Sequence, residues 1–438
     1  MSINKPFLPG KKNTIPALAC AIFAVSPALG SSPAGDAGAT QTDGLSLAVA
    51  PREVAFGERE FNRQRVDTYL AQVRAQEISG STYSPLLGES VLGMARSLHN
   101  AGEYVRALEA YQRAMHISRV NNGIYSLSQE PMIRGMIETY QAVGDPISAS
   151  RQYQDLYRIY AGTYGNDDPH LLPVLEEISE WHIRAYARQP QREGLFHLVS
   201  SHNFTENALN LAAVSPSSSE VRVLPLLHNM VTINYLLALH HQQFPGGSGE
   251  SFRFTTTSAD GFPEPPSREE TLMINSYRNG RSAHEQIIDI VFNDPDSTPR
   301  QKADALAELG DWYLLFGRYS SARQAYEDGW KTLAEAGVPE HKLDELFGQP
   351  RMLQPVAGID DRGGVSAPSE YARVVMTITD RGNADEIQVL ETHPSDDKGL
   401  ARTAVRTLKY SKFRPRLEHG QVVATKEVPL KLYLTEAQ

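Results

Sequence analysis

Three histidines are the first residues whose type invites a chemical reading: His228 and the adjacent pair His240-His241. Neutral imidazoles close together could hold a transition metal. Here no carboxylate stands at ligand spacing. The pair also closes an apolar stretch that reads as a helix, where the C-terminal dipole favours histidine. Asp294 and Asp296 around Pro295 suggest a cation loop, but the glycine and distal glutamate that complete a calcium loop do not follow. Asp360-Asp361 before Gly363-Gly364 is a turn signature, not a phosphate cradle. The paired carboxylates Glu176-Glu177 fall on a solvated helix face. No Gly-x-Ser-x-Gly, His-Glu-x-x-His or Walker loop occurs in the sequence. The single cysteine, Cys20, lies in an apolar N-terminal run. These residue types point to a non-enzymatic protein with no cofactor and no metal.

The elements that would position an interaction surface follow from the rest of the chain. At 438 residues it is too long for one ordinary core. A formal net charge of −10 argues against nucleic acid, which needs concentrated Lys and Arg. Lys5, Lys11 and Lys12 precede an apolar run from Ile15 to Val25, and Ala28-Leu29-Gly30 offers small residues for signal peptidase. Residues 1–30 therefore read as an export signal cleaved after Gly30, with an uncleaved inner-membrane anchor as the alternative. The run is short of the ~20 residues that span a bilayer. Residues 31–50 are small and polar and read as a tether.

Residues 51–347 read as antiparallel helical hairpins. A helix over the second half of Pro51–Ile78 has Phe61, Val66, Tyr69, Leu70 and Val73 as its apolar minority. Ser84-Pro85 then starts the next. Val91, Met94, Ala95, Leu98, Gly102, Tyr104, Ala107, Tyr111 and Ala114 form a pattern that returns as Ile133, Met136, Ile137, Tyr140, Gly144, Ala149 and Tyr153. It returns again as Leu306, Leu309, Gly310, Tyr313, Gly317, Tyr319, Ala322 and Tyr326. Small residues let two helices approach, and each glycine permits the turn between them. Between the second and third copies, Leu171 to Tyr186, Phe204 to Ala213 and Val221 to Leu239 read as helices, the last a buried core helix. A Pro-, Gly- and Ser-rich loop is expected near 244–269 and a linker over 348–369.

The repeated pattern resembles the tetratricopeptide repeat, best at Leu309-Gly310 with Tyr313, Ala322 and Tyr326. The spacing, and Tyr164 to Pro169 between helices, look like the longer variant of kinesin light chains. That resemblance implies stacked hairpins with a concave groove that binds a protein partner. It assigns the groove face to Arg96, His99 and Asn100 in the first copy, Arg134, Glu138 and Gln141 in the second, and Glu308 and Asp311 in the third.

Residues 370–438 read as a small α/β unit of β-β-α-β order. Val374, Met376 and Ile378 alternate in a first strand, and Asp380 to Asn383 make a turn. Ile387 and Val389 mark a second strand, with Ser395 or Asp396 to cap a helix striped by Leu400, Ala401, Ala404, Val405 and Leu408. Val428, Leu430, Leu432 and Leu434 alternate in a last strand. The order, with Phe413-Arg414-Pro415 and its distances to Gly382 and Gly420, resembles the C-terminal domain of TonB-family proteins. That family adds a strand to short segments of outer-membrane receptors. The resemblance implies strand addition at the edge carrying Val428, Leu430 and Leu432, an edge that Pro429 also marks. Arg402, Arg406, Arg414 and Arg416 form a basic run suited to an acidic partner or a membrane surface.

The sequence thus predicts a mainly α protein with a small α/β C-terminal domain. It predicts a periplasmic cell-envelope protein of a Gram-negative bacterium that mediates protein–protein interaction. A membrane-anchored TonB-type transducer and a purely structural subunit are the alternatives.

Overall fold

The computed structural model describes residues 23–24, 56–78, 82–188, 194–214, 219–244, 267–353, 370–395 and 397–433. The tether, the processing site and most of the loop and linker stretches lie outside these residues.

The chain builds antiparallel helices in order. Helix α1 (Phe56–Ile78) packs on α2 (Pro85–Asn100), which forms a hairpin with α3 (Tyr104–Asn122). Helices α4 (Glu130–Val143) and α5 (Pro146–Tyr164) form the next hairpin, followed by α6 (Leu172–Arg188), α7 (Leu195–Val214), α8 (Ser219–Gln243) and α9 (Arg268–Asn293). A last hairpin joins α10 (Pro299–Leu315) and α11 (Tyr319–Glu335), with α12 (Glu340–Phe347) against it. The three recurring turns are made by Gly102, Gly144 and Gly317, whose φ of 82°, 79° and 70° are left-handed values that other residues resist. Ser267 and Thr298 close capping boxes at the starts of α9 and α10.

Several interhelix seams pair a glycine with a ring. Gly135 of α4 faces Tyr111 of α3, Gly280 of α9 faces Trp312 of α10, and Gly310 faces Tyr326. Tyr111, Tyr326 and Trp312 are almost wholly buried there. Helix α8 is long and apolar enough from Val223 to Gln243 to cross a membrane by length and composition, and half of that stretch is buried inside the protein. Helical spacing in the sequence puts Leu224, Leu227, Val231, Tyr235 and Leu239 inward; in the structure Leu226, Leu227, Ile233 and Leu237 are core, while Leu224 and Val231 are only half-buried. Helix α7 begins at Leu195, well before the expected Phe204. Phe61 is 59% exposed and contributes nothing to the seam that Val66 and Val73 fill.

The C-terminal unit has strands β3 (Tyr371–Ile378) and β4 (Ala384–His393), helix α13 (Lys398–Tyr410) and the final strand β8 (Thr425–Tyr433). Short strands β5 (Lys412–Arg414), β6 (Arg416–Glu418) and β7 (Gln421–Val423) intervene. Strand β3 is central, antiparallel to β4 on one side and β8 on the other. Two residues of the expected export signal, β1 (Phe23–Ala24), pair with Leu432 and Tyr433 at the end of β8. Asp397, not Ser395 or Asp396, caps α13 by accepting from the Gly399 and Leu400 amides.

This unit is seated on the helices. Strand β2 (Arg351–Leu353), at the start of the expected linker, pairs with β5. The β6–β7 hairpin places Leu417 and Val422 in one apolar cluster with Tyr326, Leu343, Leu346, Phe347 and Leu353. Two such buried side chains contribute roughly 1.5–3 kcal/mol each. Gly382 and Gly420, both at positive φ, sit at this junction. A Cβ on Gly382 would strike the Phe413 carbonyl and Leu314 of α10, and one on Gly420 would strike Trp330 of α11.

Candidate partner-binding clefts

The first candidate site is an open cleft of about 470 Å³ between α2 and α4, floored by Tyr111 of α3. Arg96, His99 and Asn100 form one wall; Glu130, Pro131, Arg134, Gly135 and Glu138 form the other. Five of the six groove positions expected in the first two copies therefore meet in one place. Gln141, the sixth, is outside the lining and donates to the Tyr153 hydroxyl at 3.4 Å.

Two walls carry opposite charge. Arg134 is held by two carboxylates, donating from Nε to Glu130 at 2.7 Å and from Nη1 to both Glu177 oxygens at 2.8 Å. Glu130 also accepts from the Tyr160 hydroxyl at 3.0 Å. Arg96 and Glu138 are exposed, and neither has an ion-pair partner within 4.0 Å among the described residues. Both fields reach the floor: burial raises the pKa of the Tyr111 hydroxyl, with Glu138 adding to the rise and Arg96 opposing it. His99 is set by a relay. The Thr139 hydroxyl gives its only proton to the Gly135 carbonyl at 2.6 Å, so at 2.9 Å it can only accept from His99 Nδ1–H. Neutral His99 therefore keeps Nε2 unprotonated. Burial lowers its pKa, with Glu138 pulling the other way.

The second site lies on the third copy, and there the corresponding positions are filled by the chain itself. Arg414 of β5 forks onto Asp311 of α10, Nε to Oδ1 at 2.9 Å and Nη2 to Oδ2 at 2.5 Å. The Tyr326 hydroxyl donates to the same Oδ1 at 2.9 Å, and the guanidinium lies 5.9 Å from the Tyr326 ring centre. Arg414 is 3% exposed. Beside it, desolvation pushes the Glu308 carboxyl up to about 7, with Asp311 and Asp304 adding and Arg414 and Arg351 opposing. His228 of α8 comes within 3.7 Å of Glu308, so the carboxylate absent from its sequence neighbourhood arrives from another helix. Among the described residues no group of three His, Cys, Asp or Glu could hold a metal ion.

Two expectations for the C-terminal unit are corrected. Leu432 is fully buried, and Val428 and Leu430 pack against the same core, so these side chains face inward and are not available to a partner. The period-two alternation places them on the helix-covered face of the sheet. What β8 offers is backbone: opposite β3 it is paired only at Leu432 and Tyr433 among the described residues, leaving Thr425 to Lys431 open. Arg414 is a buried clasp rather than part of an exposed basic face. Arg402 and Arg406 are exposed and, with Val389, Ala401, Val405, Lys409 and Tyr410, line a groove of about 470 Å³ between α13 and β4. Arg416 is half-exposed and pairs with Glu418 at 3.4 Å. The sequence reading missed Tyr111 as a cleft floor and Gly135 as its wall; the recurrence of Tyr111 as Tyr153 and Tyr326 was the available signal.

No protein-family model matches the chain, and neither does any curated protein. Solved structures similar to it include the crystal structure of BtubC (BKLC) from P. vanneervenii, 12% identical, with a TM-score of 0.35 over 65% of this chain and 92% of that one. Another is a putative kinesin light chain with nearly identical TPR-like repeats from Podospora anserina, 15% identical, with a TM-score of 0.34 over 58% of this chain and 98% of that one.

Proposed function

We propose that this is a non-enzymatic adaptor of the cell envelope that binds a protein partner in the α2–α4 cleft. The observation that carries the reading is the uncompensated pair Arg96 and Glu138 facing each other over Tyr111, at repeat positions that the third copy fills with a peptide strand. Opposed charges over an aromatic floor suit an extended polypeptide with charged side chains. The N-terminal lysines, apolar run and small residues support export to the periplasm. The resemblance of residues 371–434 to TonB C-terminal domains supports a second contact by strand addition along the open edge of β8. Removal of the signal would also remove β1 from that edge.

The test is comparative enrichment from envelope extracts with full-length protein and with the double variant Arg96→Glu, Glu138→Arg. Proteins retained by the first and lost by the second are the expected result. An unchanged set overturns the cleft as the binding site. Finding intact Met1 in the inner membrane would instead favour the anchored transducer. A second reading has its own observation: the Arg414–Asp311 clasp makes the C-terminal unit a lid on the last hairpin, as a structural subunit would need.

A further inference from the structure

We infer that the clasp on the third copy is a built-in template for the partner, and that the partner carries an acidic side chain where the clasp carries Arg414. The inference rests on the proposed binding role of the α2–α4 cleft and specifies the chemistry of its occupant.

Counting from the turn glycines Gly102 and Gly317 superposes the first and third hairpins residue for residue. Tyr104 falls on Tyr319, Ala107 on Ala322, Ala110 on Ala325 and Tyr111 on Tyr326. The same count places Arg96 on Asp311. In the third hairpin that position and the tyrosine hold an extended strand, β5, through the Arg414 guanidinium. In the first hairpin the tyrosine is the same and also buried, but the charge above it is reversed and the groove is open. A planar carboxylate on Arg96 is the mirror of the guanidinium on Asp311, with the same two-point geometry. The second hairpin puts Glu138 at this repeat position, across the cleft, counting from Gly144. That wall takes a basic side chain adjacent to the acidic one. The occupant is an extended segment with an acidic and a basic residue close together in sequence.

Full-length protein titrated with two fluorescent peptides by anisotropy tests this. One copies residues 410–416, Tyr-Ser-Lys-Phe-Arg-Pro-Arg; the other has glutamate at the place of Arg414. The glutamate peptide is expected to bind about tenfold or more tightly than the arginine peptide. Arg96→Glu is expected to reverse that order, and Lys331→Glu on α11 to leave it unchanged. Equal binding of the two peptides, or a preference that survives Arg96→Glu, overturns the inference. The envelope-extract comparison still passes in that case if the cleft binds a partner of other chemistry, so the two failures are distinguishable.

Discussion

At the residue scale the most consequential contact is Arg414 with Asp311, a forked ion pair in which the arginine is almost fully buried and the aspartate partly so. Removing one partner of such a pair leaves a charge without compensation. Asp311→Ala and Arg414→Ala are each expected to lose about 3–5 kcal/mol in urea unfolding, with the double variant losing less than the sum. Gly135→Ala is a separate case, because its Cβ would overlap the Tyr111 ring. The expected cost is about 1–3 kcal/mol in the same assay, through overpacking. The sequence made the tyrosines legible because they recur at a fixed distance from the turn glycines. It hid the role of Arg414, because its partner lies far back in the chain, and a lone arginine near a helix end reads as solvated.

At the scale of elements, the sequence showed the hairpins through their turn glycines and the C-terminal order through its alternations. It misread the start of α7, where His197 and Ser200-Ser201 break the apolar period but are absorbed by polar contacts. Ser201 bonds Ser179, and His197 meets His182 at 2.9 Å. It also read 348–369 as a linker, although Arg351–Leu353 pairs with β5; Pro350 and Pro355 bracket a strand too short to show alternation. The junction between unit and helices rests on Gly382 and Gly420. Gly382→Val demands a β-branched residue at a φ of 67° against the Phe413 carbonyl. Faster amide hydrogen exchange over β5, β6 and β7, with α2 to α5 unchanged, is the expected outcome. Unchanged exchange at β5 would mean that the junction does not depend on this approach.

At the scale of the whole molecule, acid should destabilise the fold. Burial lowers His182 to about 3, His284 to about 3 and His240 to about 4. These groups bind protons in the unfolded chain first, so their contribution is present above pH 6.5 and is lost as pH falls toward those values. Each contributes a slope of about 1.4 kcal/mol per pH unit within its window. Glu308, raised to about 7, has the opposite sign: its contribution is present below 4.5 and is lost as pH rises through 7. Three histidines against one glutamate leave a net fall in stability from pH 6.5 to 4.5, and thermal melts across that range measure it. His182→Phe should flatten the curve. The shared cluster of Leu417 and Val422 with Phe347 and Leu353 also means that the C-terminal unit and the last hairpin unfold together. A chain ending at Gly348 would expose that cluster and bind a hydrophobic dye that the full chain does not.

The central claim is that the α2–α4 cleft holds a protein partner, and photo-crosslinking in living cells tests it most directly. A benzophenone amino acid at Asn100 on the cleft rim, compared with one at Lys331 on the exposed face of α11, samples the site and a control surface. A discrete crosslinked protein from position 100, lost with Arg96→Glu and absent from position 331, is the predicted result. The same crosslinks from both positions, or none from position 100 while position 331 yields one, would contradict it.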